Sequence, residues 1–341
     1  MRAVVISKPG RAAVAEITPP QTTAPTDVLI RTLAVGICGS DVGIFRGKSP
    51  FVTYPRIPGH ELAGEVVAVG RDVTHIAPGA RVVVDPVISC GSCYACRVGR
   101  ANCCANLRVV GVHVDGGMAE YLAVNRKQVY PVSNSLPPHL AVMCEPMSIG
   151  LQACVRGRIC EDDKLVIIGA GSIGLMVLLA AKAKGAQVLI SDIVPYRLQL
   201  AEEFGADRTV NSQQSDLFAA VSRFTDGEGA SVVIEAVGAP STISQAFSLA
   251  CAAGRVVILG ITNQSIEFPL QKIIGRELDV YGSRVNNGLF PQAIEMVERH
   301  QSLLAKLVNE IVDFHSLDDA TRIFLDRPGE AGKLVVTTCY R

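Results

Sequence analysis

The six residues GAGSIG, 169–174, constrain the fold of this 341-residue chain more than any other stretch. They follow the apolar run KLVII and open the run LMVLLAAKAKG, and Asp192 closes the next apolar run, QVLISD. Glycines spaced G-x-G-x-x-G say little alone. Between a strand and a helix, with an acidic residue about 20 positions further on, they form a dinucleotide-binding fingerprint. In that reading Gly169 makes the tight turn, Gly171 lets backbone approach a pyrophosphate, and Gly174 lets helix and strand pack closely. The helix start adds free N–H groups and a positive dipole end for phosphate. Asp192 is expected to bond the ribose hydroxyls and repel a 2′-phosphate, favouring NAD over NADP. Arg197 then reads as a residue stacked on adenine.

The pattern around the fingerprint fits. Strand-length apolar runs (KLVIIG, QVLISD, ASVVIEAVG, GRVVILG and LDVYGS) alternate with helical stretches at 174–185, 194–205 and 240–254. Continuous Val/Ile strands separated by helices predict an α/β Rossmann domain, a doubly wound parallel sheet covered on both faces. The first 150 residues differ in texture. Short β runs such as DVLIRTLAVGIC, ELAGEVVAVG, RVVVDPV and GGMAEYLAV are broken by Gly and Pro, which predicts a β-rich domain. The last segment reads as helix-rich over 293–314 and strand-like over 333–339.

Lys plus Arg equals Asp plus Glu, at 32 each, which argues against a dedicated nucleic-acid or acidic-membrane binder. No apolar run reaches membrane-span length, and the N-terminal MRAVVISKPG turns polar too soon for a secretory segment. A cytoplasmic location is expected, and there eleven cysteines point to metal or buried thiols rather than disulfides.

Five of them lie in SCGSCYACRVGRANCCANL, 89–107. Cys90, Cys93, Cys96 and Cys104 give C-x2-C-x2-C-x7-C. Ferredoxin spacing would put the fourth cysteine three residues on and follow it with Pro. Four thiolates on a tight loop suit a closed tetrahedral zinc site, which is structural because no position stays open. Cys103 is left as a spare thiol.

Catalytic ligands must then lie elsewhere. GICGSD (36–41) offers Cys38, GHELAGEVVAVG (59–70) offers His60 and Glu61, and CEPMS (144–148) offers Glu145. Singly, each has a bland explanation as a core or surface residue. Taken in order with the cysteine lobe and the fingerprint, they resemble the zinc-dependent medium-chain alcohol dehydrogenases. Glu145 and GVHVDGG (111–117) resemble its polyol, sugar-acid and threonine dehydrogenase branch. YGSRVNN (281–287) is similar to bacterial hexonate-type members, the L-galactonate and L-idonate 5-dehydrogenases.

The resemblance implies a GroES-like catalytic domain at 1–147 and 286–341 and a dinucleotide domain at 148–285. It implies two zinc ions per chain, the catalytic one held by Cys38 and His60 with Glu61, Glu145 or both, directly or through water. Ser40 would accept the substrate proton, and Asp41 would orient the histidine. Ser172, Ile173, Val237, Gly260, Ser283 and Arg284 would join Gly169, Gly171, Gly174, Asp192 and Arg197 around NAD. The implied reaction is oxidation of a secondary alcohol on a polyol or sugar acid to the ketone. A threonine 3-dehydrogenase, a simple alcohol dehydrogenase and a non-catalytic NAD-binding redox sensor are the alternatives. The expected partners are the small-molecule substrate and further copies of the chain, in a homodimer or homotetramer, with LDVYGS as a candidate pairing edge. Gly43 stands where many family members carry a proton-relay histidine, and His113 is the one other histidine expected near substrate.

Overall fold

The computed structural model describes every residue except 23, 268–269, 315–322, 325–331 and 339–341. The described residues fall into two compact units. One holds Met1–Glu145 and the residues that follow Asn286; the other is Pro146–Asn286.

The first unit is built on an antiparallel-rich sheet. Its strands run in the order Val308–Asp313, Lys333–Thr337, Asp27–Gly36, Glu61–Val69, Arg81–Val84 and Val129–Pro131, with Tyr121–Asn125 also paired to Asp27–Gly36. The Asp27–Gly36 strand starts with alternating buried side chains and ends with five buried residues in a row, so its end is covered on both faces. Val28, Ile30, Leu62, Val66, Val82, Val84, Phe314 and Phe324 share one core. Register then decides which residues meet. Gly36 lies opposite Glu61 on one side and Val335 on the other. The described part of the C-terminal segment thereby reaches the end of the Asp27–Gly36 strand, next to Cys38.

The second unit carries a parallel sheet in the order Arg208–Asn211, Gln187–Asp192, Lys164–Ile168, Ala230–Glu235, Ala250–Ile258 and Asp279–Gly282. Numbered along the chain this is 3-2-1-4-5-6, the doubly wound dinucleotide-binding order, with its switch point between Lys164–Ile168 and Ala230–Glu235. Two expectations need correction here. The helix expected to run to residue 254 stops at Leu249, and Ala250–Ile258 is strand. Small alanines fit either state, and Ala250 is drawn into the ladder opposite Ala230. The strand Arg208–Asn211 and the helix Leu217–Phe224 were also not anticipated; the strand is only four residues long and mostly polar. In the first unit, Val308–Asp313 lies within the segment read as helix-rich but is strand. Among the described residues no helix is long and apolar enough to cross a membrane.

Candidate active site and metal centres

The cysteine lobe is held by a short hairpin, Val87–Ile88 against Arg108–Val109. The sulfurs of Cys90, Cys93, Cys96 and Cys104 all lie within 4.8 Å of one another. Cys93 Sγ is 3.5 Å from Cys96 Sγ and 3.9 Å from Cys104 Sγ. A tetrahedron with zinc–sulfur bonds near 2.3 Å has edges of about 3.8 Å. Backbone N–H groups of Cys90, Cys93, Ala105 and Asn106 point at these sulfurs at 3.3–3.4 Å. Such donors favour thiolate. The N–H groups of Ser92 and Cys93 hold Cys90 down to about 5, whereas burial and the neighbouring Cys93 push Cys96 up to about 11. The donor set fits zinc. Cys103 stays outside the group, beside the Arg100 guanidinium at 3.8 Å.

The second group is chemically mixed, with a half-buried cysteine beside a buried histidine and glutamate. Cys38 precedes the helix Gly39–Phe45, and Asp41 Oδ2 accepts its backbone N–H at 2.9 Å, fixing the turn that presents the thiol. His60 and Glu61 enter the Glu61–Val69 strand directly after Gly59, whose φ of +99° suits glycine. The loop 111–117 braces that entrance. Gly116 N–H donates to Ile57 O and Gly117 N–H to Gly59 O, both at 2.8 Å. A Cβ at Gly111 would come within 2.7 Å of the Gly59 carbonyl, so the two backbones touch. In consequence ligand atoms of Cys38, His60 and Glu61 fall within 4.8 Å of each other.

Asp41, fully buried, lies 3.5 Å from His60 Nδ1, and Ser40 Oγ is 3.4 Å from His60 Nε2. Burial opposes a charge on His60, but Asp41 and Cys38 outweigh it and raise its pKa well above the ordinary imidazole value. Among the described residues Nδ1 makes no hydrogen bond, so Asp41 holds the ring by the ion-pair contact. One sulfur, one imidazole and a carboxylate brought within reach of one another, the last two buried, fit a zinc ion with an open position. Glu145, at the start of the helix Cys144–Gly157, stands outside the 4.8 Å group but is buried nearby. Burial pushes its carboxyl up to about 8, with His60 pulling it down and Glu61 pushing it further up.

Sequence reasoning missed Lys333. Its ammonium donates to Glu61 Oε1 at 2.7 Å and Oε2 at 2.8 Å, and the two side chains are 4 % and 0 % exposed. Burial works against the charged lysine, but Glu61 and Cys38 raise its pKa above the ordinary value. Gly36 makes room, since a Cβ there would overlap Glu61 Oε2. No local motif marks a lysine 272 residues away from its partner; only the strand register brings it there. His113 accepts the Val109 N–H on Nδ1 at 3.1 Å, and its ring rests on the half-exposed Phe51 at 5.8 Å.

In the second unit, Gly169 has φ +102°, and a Cβ on Gly174 would overlap the Gly169 carbonyl oxygen. Gly171 precedes the helix Ser172–Lys182, whose first residues are Ser172 and Ile173, and has open space where its Cβ would be. The buried Asp192 accepts backbone N–H from Ala170, Ile193 and Val194 at 2.7–2.9 Å, while Arg197 reaches its Oδ2 at 3.7 Å. Arg197 therefore leans on Asp192. Val237 and Gly260 follow the ends of Ala230–Glu235 and Ala250–Ile258, and Ser283 and Arg284 follow Asp279–Gly282. Ser283 Oγ is buried without a partner.

Residues 24–134 match the alcohol dehydrogenase GroES-like domain, and residues 172–299 match the zinc-binding dehydrogenase domain. An uncharacterised zinc-type alcohol dehydrogenase-like protein of Haemophilus influenzae is 37 % identical over 96 % of both chains. This chain belongs to the zinc-containing alcohol dehydrogenase family. Among the family, sorbitol dehydrogenase of Bacillus subtilis is 33 % identical over 91 % of this chain and 90 % of its own. L-Galactonate-5-dehydrogenase of Escherichia coli K12 is 35 % identical over 76 % of each. The E. coli CFT073 alcohol dehydrogenase RspB, solved with NADH, superposes with TM-score 0.90 at 35 % identity over 99 % of each chain. A zinc-binding dehydrogenase of Sinorhizobium meliloti, solved with NADP, gives 0.92 at 34 % identity over 98 % of each. The family is one of oxidoreductases that act on CH–OH groups, with a GroES-like domain beside a Rossmann domain.

Proposed function

We propose that this dehydrogenase oxidises a secondary alcohol on a polyol or sugar acid to the ketone, with NAD as acceptor and zinc at Cys38, His60 and a carboxylate. The cluster of Cys38, His60 and Glu61, with Ser40 Oγ 3.4 Å from the histidine ring, carries the reading. When bound there, zinc supplies Lewis acidity toward a substrate oxygen and the dinucleotide supplies the two-electron acceptor.

The chain's own residues do the rest. Ser40 relays the proton of the substrate hydroxyl, accepting it on Oγ as it hands its own hydroxyl proton on. Asp41 holds the imidazole by its Nδ1 side and the Cys38 turn by its backbone N–H, so one carboxylate orients two ligands. Glu61 and Glu145 are the carboxylates within reach, and the Lys333 ammonium fixes where Glu61 points. The second zinc belongs to Cys90, Cys93, Cys96 and Cys104. Residues 1–147 and 286–341 are assigned to the chemistry and 148–285 to the dinucleotide, on the GAGSIG turn and Asp192. Held in place by three N–H groups, the Asp192 side chain bonds the ribose hydroxyls and disfavours a 2′-phosphate.

A panel of polyols, aldonates, L-threonine and simple alcohols, read as NADH formed at 340 nm, tests the substrate class. Preference for L-threonine or a simple alcohol would overturn the polyol assignment. Cys38→Ser should abolish turnover and leave NADH binding intact; full activity in that variant would sink the mechanism. NADP outcompeting NAD would refute the role of Asp192. The strand Asp279–Gly282 lies at the sheet edge, and we assign it to pairing between copies in a homodimer or homotetramer. A monomer by light scattering refutes that.

A further inference from the structure

Glu235 is the last residue of the strand Ala230–Glu235, on the second mononucleotide side of the switch point. It is completely buried. A single side-chain oxygen, Oε1, accepts the N–H of Val237 at 3.0 Å, the N–H of Gly238 at 2.8 Å and the hydroxyl of Thr242 at 2.7 Å. Its main-chain oxygen accepts the N–H groups of Leu259 and Gly260 at 2.9 and 3.1 Å. Among the described residues its other side-chain oxygen, Oε2, has no partner. A glutamate side chain buried at this depth costs free energy unless its bonds return it, and three donors converge on its Oε1.

The donors to its side chain and to its main chain belong to two turns that touch. Gly238, at φ +85°, has room for no side chain: a Cβ there would lie 2.8 Å from Ile261 O. A Cβ on Gly260 would overlap Gly238 N and come within 2.7 Å of Glu235 Oε2. On the other flank, a Cβ on Gly169 would meet Val237 Cγ2 at 2.8 Å. The turn after Ala230–Glu235 is thus wedged between the first fingerprint glycine and the turn after Ala250–Ile258. These turns lie at the carboxyl ends of the strands, where open α/β sheets bind their ligands. Val237, at the tip, is 52 % exposed.

We infer that Glu235 is a positioning residue of the cofactor site. It sets the Val237–Gly238 turn against Gly169 and Gly260 so that the floor under the second nucleotide half is formed before the dinucleotide arrives. This rests on the dinucleotide reading above. Its Oε1 and main-chain oxygen are committed to the two turns, so Glu235 acts through the turns it holds. It predicts a selective defect. Losing the clamp harms ligands that use the second half and spares those confined to the first half, at GAGSIG and Asp192.

The test is calorimetric titration of the zinc-loaded full chain with NADH and, separately, with 5′-AMP, which reaches only the first half. Glu235→Ala should weaken NADH at least tenfold and AMP less than threefold. Glu235→Gln keeps an oxygen for all three donors and should stay within about threefold of the parent for both ligands. Thr242→Val, a milder change should Glu235→Ala fold poorly, should weaken NADH about threefold and leave AMP unchanged. Unaltered NADH affinity in Glu235→Ala and Thr242→Val overturns the inference. So does a proportionate loss of both ligands, which marks general damage to the unit. Failure of the parent chain to bind NADH or NADPH is a separate outcome that overturns the dinucleotide reading itself.

Discussion

Replacing Lys333 by Met should destabilise the zinc-stripped protein by about 3–4 kcal/mol at pH 7 and by only about 1 kcal/mol near pH 5. The wild-type pair is bidentate, at 2.7 and 2.8 Å, and almost sealed from water. Taking away the ammonium leaves a buried carboxylate without its counter-charge, a change that costs about 3–5 kcal/mol in comparable sites. The alternative open to such a group is to bind a proton. Keeping any ordinary glutamic acid protonated at pH 7 costs about 3.7 kcal/mol, at about 1.36 kcal/mol per pH unit above 4.3. The proton therefore caps the loss. The sign follows from linkage: in the variant the folded state binds a proton that the unfolded state releases, so stability falls as pH rises above about 4.3.

The assay is urea unfolding of chelator-treated protein, followed by far-UV circular dichroism because the chain has no Trp. A second variant, Glu61→Leu with Lys333→Met, removes both charges and should return to within about 1 kcal/mol of the parent, since apolar replacement of a buried ion pair is close to neutral. A single variant that loses less than about 1 kcal/mol at pH 7, or loses as much at pH 5 as at pH 7, would refute the electrostatic argument. A double variant as unstable as the single one would do the same.

Cys96→Ser should lower bound zinc from about two to about one per chain by atomic absorption. It should lower the melting temperature and leave NADH affinity within twofold, because the lobe lies in the other unit. In Gly174→Ala the new methyl would overlap the Gly169 carbonyl oxygen, so helix and turn must part. About 1–3 kcal/mol of stability and at least tenfold in NADH affinity should be lost in melts and titrations. Burial works to raise the pKa of Asp207, but Lys182 at 2.7 Å and the Val188 N–H at 2.7 Å outweigh it and hold it below the ordinary carboxylate value. Its stabilising contribution is therefore present above about pH 4 and lost as pH falls through the lowered value. Asp207→Asn should flatten that part of an acid-unfolding profile, and an unchanged profile would contradict the pairing.

What was legible in the chain depended on how far apart the interacting residues are. The fingerprint turn, its helix and Asp192 lie within 24 residues, and their geometry is local. The cysteine lobe is similarly self-contained. Boundaries between elements were less legible where alanine, neutral between helix and strand packing, fills the junction, as at Ala250. Cys38, His60 and Glu61 were named only by resemblance, because nothing in their spacing joins segments twenty residues apart. Lys333 and Glu235 were not named at all. A lysine near the C-terminus and a glutamate at the end of an apolar run read as surface residues, and only the register of Gly36 with Glu61 and Val335, or of Glu235 with Ile168 and Ile258, places them inside.

The two metal centres hold charge in opposite ways, and this explains why the densest cluster of reactive residues is the less reactive one. In the lobe Cys90, Cys93 and Cys96 lie toward the surface, and backbone N–H groups lower Cys93 and bring Cys90 to about 5, while burial and Cys93 raise Cys96 to about 11. Four such donors close the shell, so the metal there can only hold the loop in shape. In the buried centre the negative charge is rationed. Lys333 pairs with Glu61 and also faces Cys38, and burial keeps the Glu145 carboxyl near 8, so little negative charge is left uncompensated. A divalent cation entering such a pocket is undercompensated, in surroundings where each charge acts more strongly than in water. It retains the capacity to draw electrons from a further ligand. If Lys333 were absent, Glu61 would be free to supply the missing charge, and the centre would move toward the closed, structural character of the lobe. The stability measured on Lys333→Met thus bears on reactivity as well: the buried ion pair that is costly to break is also the one that keeps the site electron-poor.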